Sequence, residues 1–202
     1  MRTTLASRCS LLLWAAAITL LLPAAAALAQ KFQVMPVVEK KVSRLPPGPL
    51  FWRVDNFPTL AAAQAAAGPT ALAAEVAGKA WLFTLGPPGG SSPGGSKAAE
   101  IGPIPPFPAS EYLLRINRGS GPPGAKTPVH MHPGSETFYV LAGELTQKTP
   151  DGLRHASAGH AMPGHPPGTP MQVSSSGKTD LTALVMFVAD ATRPFSTPTT
   201  MP

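Results

Sequence analysis

Between residues 111 and 189 a turn signal breaks the chain every few residues. The signals are Pro122-Pro123-Gly124, Pro133-Gly134, Ala142-Gly143, Pro150-Asp151-Gly152, Pro163-Gly164, Pro166-Pro167-Gly168 and Gly177. The segments between them, 111–117, 127–132, 136–141, 144–149, 153–157, 169–174 and 181–189, are too short for a helical apolar stripe to build up. Short segments bounded by such turns read as strands, so the chain is expected to be an all-β sandwich or barrel. Its 26 prolines, well above the average share of about 5%, fit this because they stand in turns and at strand ends.

Upstream the pattern is less regular. Residues 30–58 read as a proline-punctuated lead-in, and 59–110 as an N-terminal extension. Within the extension, an Ala-rich stretch over 59–67 has Thr59 as N-cap and Gly68-Pro69 as stop, which predicts one short helix. Segments 72–77 and 80–85 flank Gly78-Lys79 as a hairpin. The run PPGGSSPGGS at 87–96 is expected to be a mobile loop, and the Thr/Pro-rich tail over 191–202 to be flexible.

Residues 1–29 have the layout of a secretory signal. Arg2 and Arg8 precede an uncharged stretch over 10–29, and Ala27-Leu28-Ala29 supplies small residues before a cut ahead of Gln30. Pro23 and the Ala-rich exit favour cleavage over retention as an anchor, so a periplasmic or secreted protein is expected, with no membrane span after cleavage. The one cysteine, Cys9, is lost with the signal, leaving a 173-residue chain without disulfides or thiol chemistry. That chain has 14 basic and 10 acidic residues without a basic cluster, which argues against nucleic acid as a partner.

All five histidines lie between positions 130 and 165. His130 and His132 are two apart, so on a strand they share a face. Pro133-Gly134 can turn the chain, and Glu136 can return to the same interior. Two imidazoles and a carboxylate form a set that suits a divalent transition metal and leaves coordination positions open. If Glu136 faces inward, Phe138 and Val140 do too and line an apolar pocket, whereas Tyr139 faces outward. A small, mostly hydrophobic ligand suits such an interior.

The arrangement His130-x-His132-x3-Glu136-x6-Gly143, in the run HMHPGSETFYVLAG, resembles the first motif of the cupin superfamily. The resemblance implies a jelly-roll β-barrel over 111–190, preceded by the helix-containing extension. It also implies a metal site built from His130, His132 and Glu136. A second motif is implied downstream, and Gly159 with Pro166-Pro167-Gly168-Thr169-Pro170-Met171 fits its spacing, except that Met171 stands where the fourth ligand is normally His. Met171 can pack as an apolar side chain, can yield to His165 or His160 as a replacement nitrogen ligand, or can coordinate through sulfur, which would favour Cu(I). His155, beside Arg154, reads as an exposed strand residue without a role.

The ligand types do not choose among iron, manganese, nickel, zinc and copper. In cupin oxygenases a metal-bound glutamate can act as general base, and the resemblance allows that for Glu136. Other catalytic arrangements are weaker: the one Gly-x-Ser-x-Gly run, Gly90-Ser91-Ser92-Pro93-Gly94, lies in the low-complexity loop where a nucleophile is not expected to be held in place, there is no phosphate-binding Gly-x4-Gly-Lys loop, and there are too few acids for a sugar-hydrolysing pair. The expectation is a metal-dependent enzyme, most plainly an oxygenase, acting on a small organic substrate. The alternative is a non-catalytic module that binds a small molecule or a metal such as copper. A homodimer is a further expectation from the family.

Overall fold

The computed structural model describes residues 31–202. The signal segment lies outside the described residues. In chain order the elements are β1 (Gln33–Val42), β2 (Phe51–Phe57), α1 (Leu60–Ala65), β3 (Ala71–Val76), β4 (Lys79–Gly86), β5 (Ser96–Ile101), β6 (Tyr112–Gly121), β7 (His130–Met131), β8 (Gly134–Ala142), β9 (Glu144–Thr149), β10 (Gly152–Ser157), β11 (Ala161–Met162), β12 (Gln172–Ser175), β13 (Leu181–Asp190) and β14 (Thr197–Pro198). The fold is all-β with one short helix, as the turn pattern predicts.

A five-stranded antiparallel sheet in the order β1-β6-β13-β8-β11 forms the middle layer. The sheet β3-β4-β2-β5 covers one of its faces, and β10-β9-β12 lies over the other. Because strand residues alternate between faces, β13 feeds two cores at once. Leu184, Met186 and Val188 pack with Trp52, Val54, Trp81 and Phe83, while Ala183, Val185 and Phe187 pack with Phe138, Leu145 and Val173. Burial on both faces explains why β13 reads as an unbroken apolar run.

This layering corrects the expectation for Tyr139. It does point away from Glu136, but it packs edge-on against Trp81 at 6.3 Å between ring centroids, because the N-terminal sheet covers that face. The helix and hairpin are where local chemistry puts them. The Thr59 hydroxyl accepts from the Ala62 amide at 3.1 Å to cap α1. The β3–β4 turn has Ala77 and Gly78 both at positive φ, 53° and 71°, as a tight two-residue hairpin turn requires.

Three segments are more ordered than their composition suggests. The stretch expected as a lead-in contains β1, paired along β6, and β2, which is central in its own sheet. Pro36 hides β1 from a pattern reading, and it is accommodated where the register shifts between Pro36 and Val38. The PPGGSSPGGS loop is pinned by Ser92, whose buried hydroxyl donates to Asp55 Oδ2 at 2.7 Å and accepts from Arg53 Nη2 at 3.1 Å. Gly90 lies so close to the Arg53 guanidinium that a Cβ would collide with it. The tail expected to be loose pairs Thr197 and Pro198 with Met131 and His130, and it brings Phe195 onto the second core.

Candidate metal centre

His130 opens the two-residue strand β7, His132 follows it immediately before Pro133, and Glu136 comes from the start of β8. His130 is fixed by a pair of backbone bonds to Met171, His130 N to Met171 O at 3.0 Å and Met171 N to His130 O at 2.8 Å. Glu136 is paired across β8–β13 with Phe187. Gly134 permits this approach, because a Cβ there would strike the backbone of Val188 and Ala189. The outcome is that one donor atom from each of His130, His132 and Glu136 lies within 4.8 Å of the others.

The imidazoles are oriented for coordination. His130 Nδ1 is 2.8 Å from the Pro128 carbonyl oxygen, and His132 Nδ1 is 2.6 Å from that of Phe195. A carbonyl only accepts, so each Nδ1 carries the hydrogen and each neutral ring keeps its Nε2 lone pair free. The buried atoms His132 Nε2 and Glu136 Oε2 have no hydrogen-bond partner among the described residues. Leaving a buried polar atom unpaired costs about 1–3 kcal/mol, so two of them side by side fit an ion that would satisfy both.

Electrostatics point the same way. Burial alone pushes the Glu136 carboxyl up to about 8. Burial, reinforced by His130 and Arg115, pushes His132 down to about 4, against the pull of the Phe195 carbonyl. Without a counter-charge the site therefore keeps a protonated acid beside a neutral imidazole, and a bound cation would favour the carboxylate.

The site opens into a cavity of about 310 Å³ walled by Phe32, Phe138, Val173, Val185, Phe187 and Phe195. This is at the small end of ligand pockets. Phe138 lines the cavity as expected from alternation. Val140 shares that face but lies one strand repeat further on, buried in the second core instead of in the cavity wall.

Of the two candidates for a fourth ligand, His165 is not among the residues whose donor atoms converge, and Met171, backbone-paired with His130, has its sulfur engaged by another side chain. His165 is buried, its pKa lowered chiefly by that burial, and its Nε2 lies 3.0 Å from Gln147 Oε1. Met171 is buried too, and its sulfur accepts from Gln147 Nε2 at 3.4 Å. Gln147, fully buried on β9, engages both and links them in one polar chain. His155 and His160 are exposed and bond locally, His155 Nδ1 to the Thr146 hydroxyl at 2.7 Å and His160 Nδ1 near the Ser157 hydroxyl at 3.2 Å.

Four contributors carry no sequence motif: Gln147, Phe195, Arg115 and Asn117. Phe195 supplies the carbonyl that orients His132, and its ring lies 4.8 Å from the His132 ring and 4.9 Å from Phe187. Arg115 carries its guanidinium 4.4 Å over the Phe195 ring. Its Nε donates to Asn117 Oδ1 at 3.0 Å. Only the inward phase of Asn117 and Gln147 on their strands could have marked those two.

Residues 120–187 match the family model described as a cupin domain. An all-β fold with a three-ligand site at the first motif agrees with that match, which identifies residues 120–187 as a cupin domain. Similar solved structures include the DMSP lyase DddQ from Ruegeria pomeroyi DSS-3, with 26% identity over 43% of each chain and a TM-score of 0.38. An oxalate oxidase in complex with the substrate analogue glycolate has 27% identity over 42% of this chain and 45% of that one, with a TM-score of 0.36. The protein TT1209 from Thermus thermophilus has 24% identity over 38% of this chain and 73% of that one, with a TM-score of 0.35. The chain spans less than half the length of the first two. No curated protein matches.

Proposed function

We propose that this protein is an exported cupin that holds a divalent transition metal through His130, His132 and Glu136 and acts as an oxygenase on a small organic substrate. The observation that carries the reading is the convergence of three donor atoms within 4.8 Å, two of them on buried and otherwise unpartnered groups, at an apolar cavity. A bound ion would supply Lewis acidity and open coordination positions for substrate and oxygen. The chain's own contribution is orientation and exclusion of water. The Pro128 and Phe195 carbonyls orient the imidazoles, the phenylalanines make the wall largely apolar, and Glu136 would hold a substrate proton.

Nitrogen and oxygen donors suit iron, manganese, nickel, zinc or Cu(II). A Cu(I) site would want the Met171 sulfur, which is engaged by Gln147. Oxygen uptake by metal-loaded protein over a panel of small phenols and β-diketones tests the reaction. Uptake that is lost on chelation and in Glu136→Gln is expected. A second reading, a non-catalytic module that captures a small molecule or metal, is favoured by Met171 standing where the fourth ligand is normally His. Ligand-induced thermal stabilisation without oxygen uptake across the panel would overturn the oxygenase and support capture.

A further inference from the structure

Among the residues lining the cavity, Asn117 is the one side-chain amide, and it is only 1% exposed. It sits on β6 opposite Val185 of β13, on the face that carries Phe187 and Glu136 into the site. Arginine can only donate, so the 3.0 Å contact from Arg115 Nε identifies the Asn117 oxygen and fixes which way the amide is turned. The NH2 arm is left for the cavity, with no hydrogen-bond partner among the described residues. The Thr127 hydroxyl accepts from the Val173 amide and both histidine Nδ1 atoms face carbonyls, so besides the triad's own donor atoms and the hydroxyl of exposed Ser196 the Asn117 amide is the polar group open to a ligand.

We infer that Asn117 is the specificity residue of the cavity, donating its amide N–H to a carbonyl or carboxylate oxygen on a ligand whose remaining body is apolar. The inference rests on the reading of the cavity as the substrate site and narrows the substrate class. Arg115 is the positioning residue. Its guanidinium holds the amide from behind, stacked 4.4 Å from Phe195, and its nearest acid is Glu39 at 3.5 Å, which is 56% exposed and screened by water. The positive potential behind the amide strengthens it as a donor and favours an oxygen that carries negative charge. A ligand rich in donors, or with hydroxyls all round, would leave its polar groups facing phenylalanine and valine.

The test is calorimetric titration of the mature chain, zinc-loaded and after chelation, with benzoate, acetophenone and toluene. These share an apolar ring and differ in the oxygen. Wild type is expected to bind one or both oxygen-bearing probes at least 10-fold tighter than toluene. Asn117→Leu should weaken those probes by about 10- to 100-fold and leave toluene within about twofold. Asn117→Asp, which replaces the donor with an acceptor, should lose benzoate as severely. Arg115→Leu should reduce the preference for the oxygen-bearing probes, and Arg115→Lys, which keeps a donor, should restore part of it. A preference for benzoate alone identifies a carboxylate, and for acetophenone a carbonyl. Unchanged binding in Asn117→Leu, equal loss of toluene, or no binding of either oxygen-bearing probe to wild type overturns the inference. Metal analysis of the same samples separates the two readings. Absence of metal fails the metal centre, while the probe ratio after chelation still decides the role of Asn117.

Discussion

Metal-free protein should lose stability as the pH rises from 6.5 to 8, and Glu136 should be the cause. Its carboxyl is held near 8 in the folded chain against 4.5 when solvated, so between those values the folded state binds a proton that the unfolded state has released. Folding stability then falls by about 1.4 kcal/mol per pH unit. His132 acts in the opposite sense, folded near 4 against 6.5, so its contribution rises with pH over that interval. From pH 4.5 to 6.5 these two slopes oppose each other, and His165, also lowered by burial, adds to the rise there but not above 6.5. From 6.5 to 8 Glu136 acts alone and about 2 kcal/mol is lost. Glu136→Gln should remove the decline, and it should also expose the His132 slope as a gain of roughly 2.7 kcal/mol between pH 4.5 and 6.5. Urea unfolding of chelator-treated protein at pH 4.5, 6.5 and 8 reads these differences. Asp190, Glu100 and Lys41 also have shifted pKa values, but at the surface, and the acids complete their change at lower pH. A flat wild-type curve between 6.5 and 8, or the same decline in Glu136→Gln, would refute the reasoning.

Removing residues 194–202 deletes the carbonyl that orients His132 and should weaken zinc binding by about 10- to 100-fold, whereas Phe195→Ala keeps the carbonyl and should cost less; competition with a chromogenic chelator measures both. Met171→Leu should leave metal content unchanged, since the sulfur is engaged by Gln147; loss of metal by mass spectrometry would return it to the ligand set. Ser92→Ala breaks a buried hydroxyl bridge between Asp55 and Arg53 and should destabilise by about 1–3 kcal/mol in urea unfolding; no change would mean the loop is held by its other contacts. Protein recovered from the periplasm or medium of a bacterial host should begin at Gln30 by N-terminal sequencing, and a start at Met1 in the membrane fraction would contradict export with cleavage.

The triad was legible because it is local. His130 and His132 share a face by strand alternation, and one proline–glycine turn is all that separates them from Glu136. The barrel strands were legible for the same reason, each bounded by its own turn signal. Elements that depend on distant partners were hidden. β1 carries a proline and opens on four consecutive exposed residues, Gln33 to Pro36, and only its register along β6 makes it a strand. Ser92 looks like linker composition until Arg53 and Asp55, more than 30 residues away, are seen to hold it. Phe195 lies in a Thr/Pro-rich tail, and its role is carried by a backbone carbonyl, which no side-chain pattern records. The fate of Met171 turned on Gln147, a strand glutamine indistinguishable in sequence from a solvent-facing one.

The central claim is that His130, His132 and Glu136 bind a metal. Elemental analysis by mass spectrometry of untagged protein spanning residues 30–202, exported by its host, tests it directly against the His130→Ala/His132→Ala variant. The account predicts a first-row transition metal at close to one ion per chain in wild type and its loss in the double variant. Wild-type protein that is metal-free and cannot be reloaded, or a variant that keeps its ion, would contradict it.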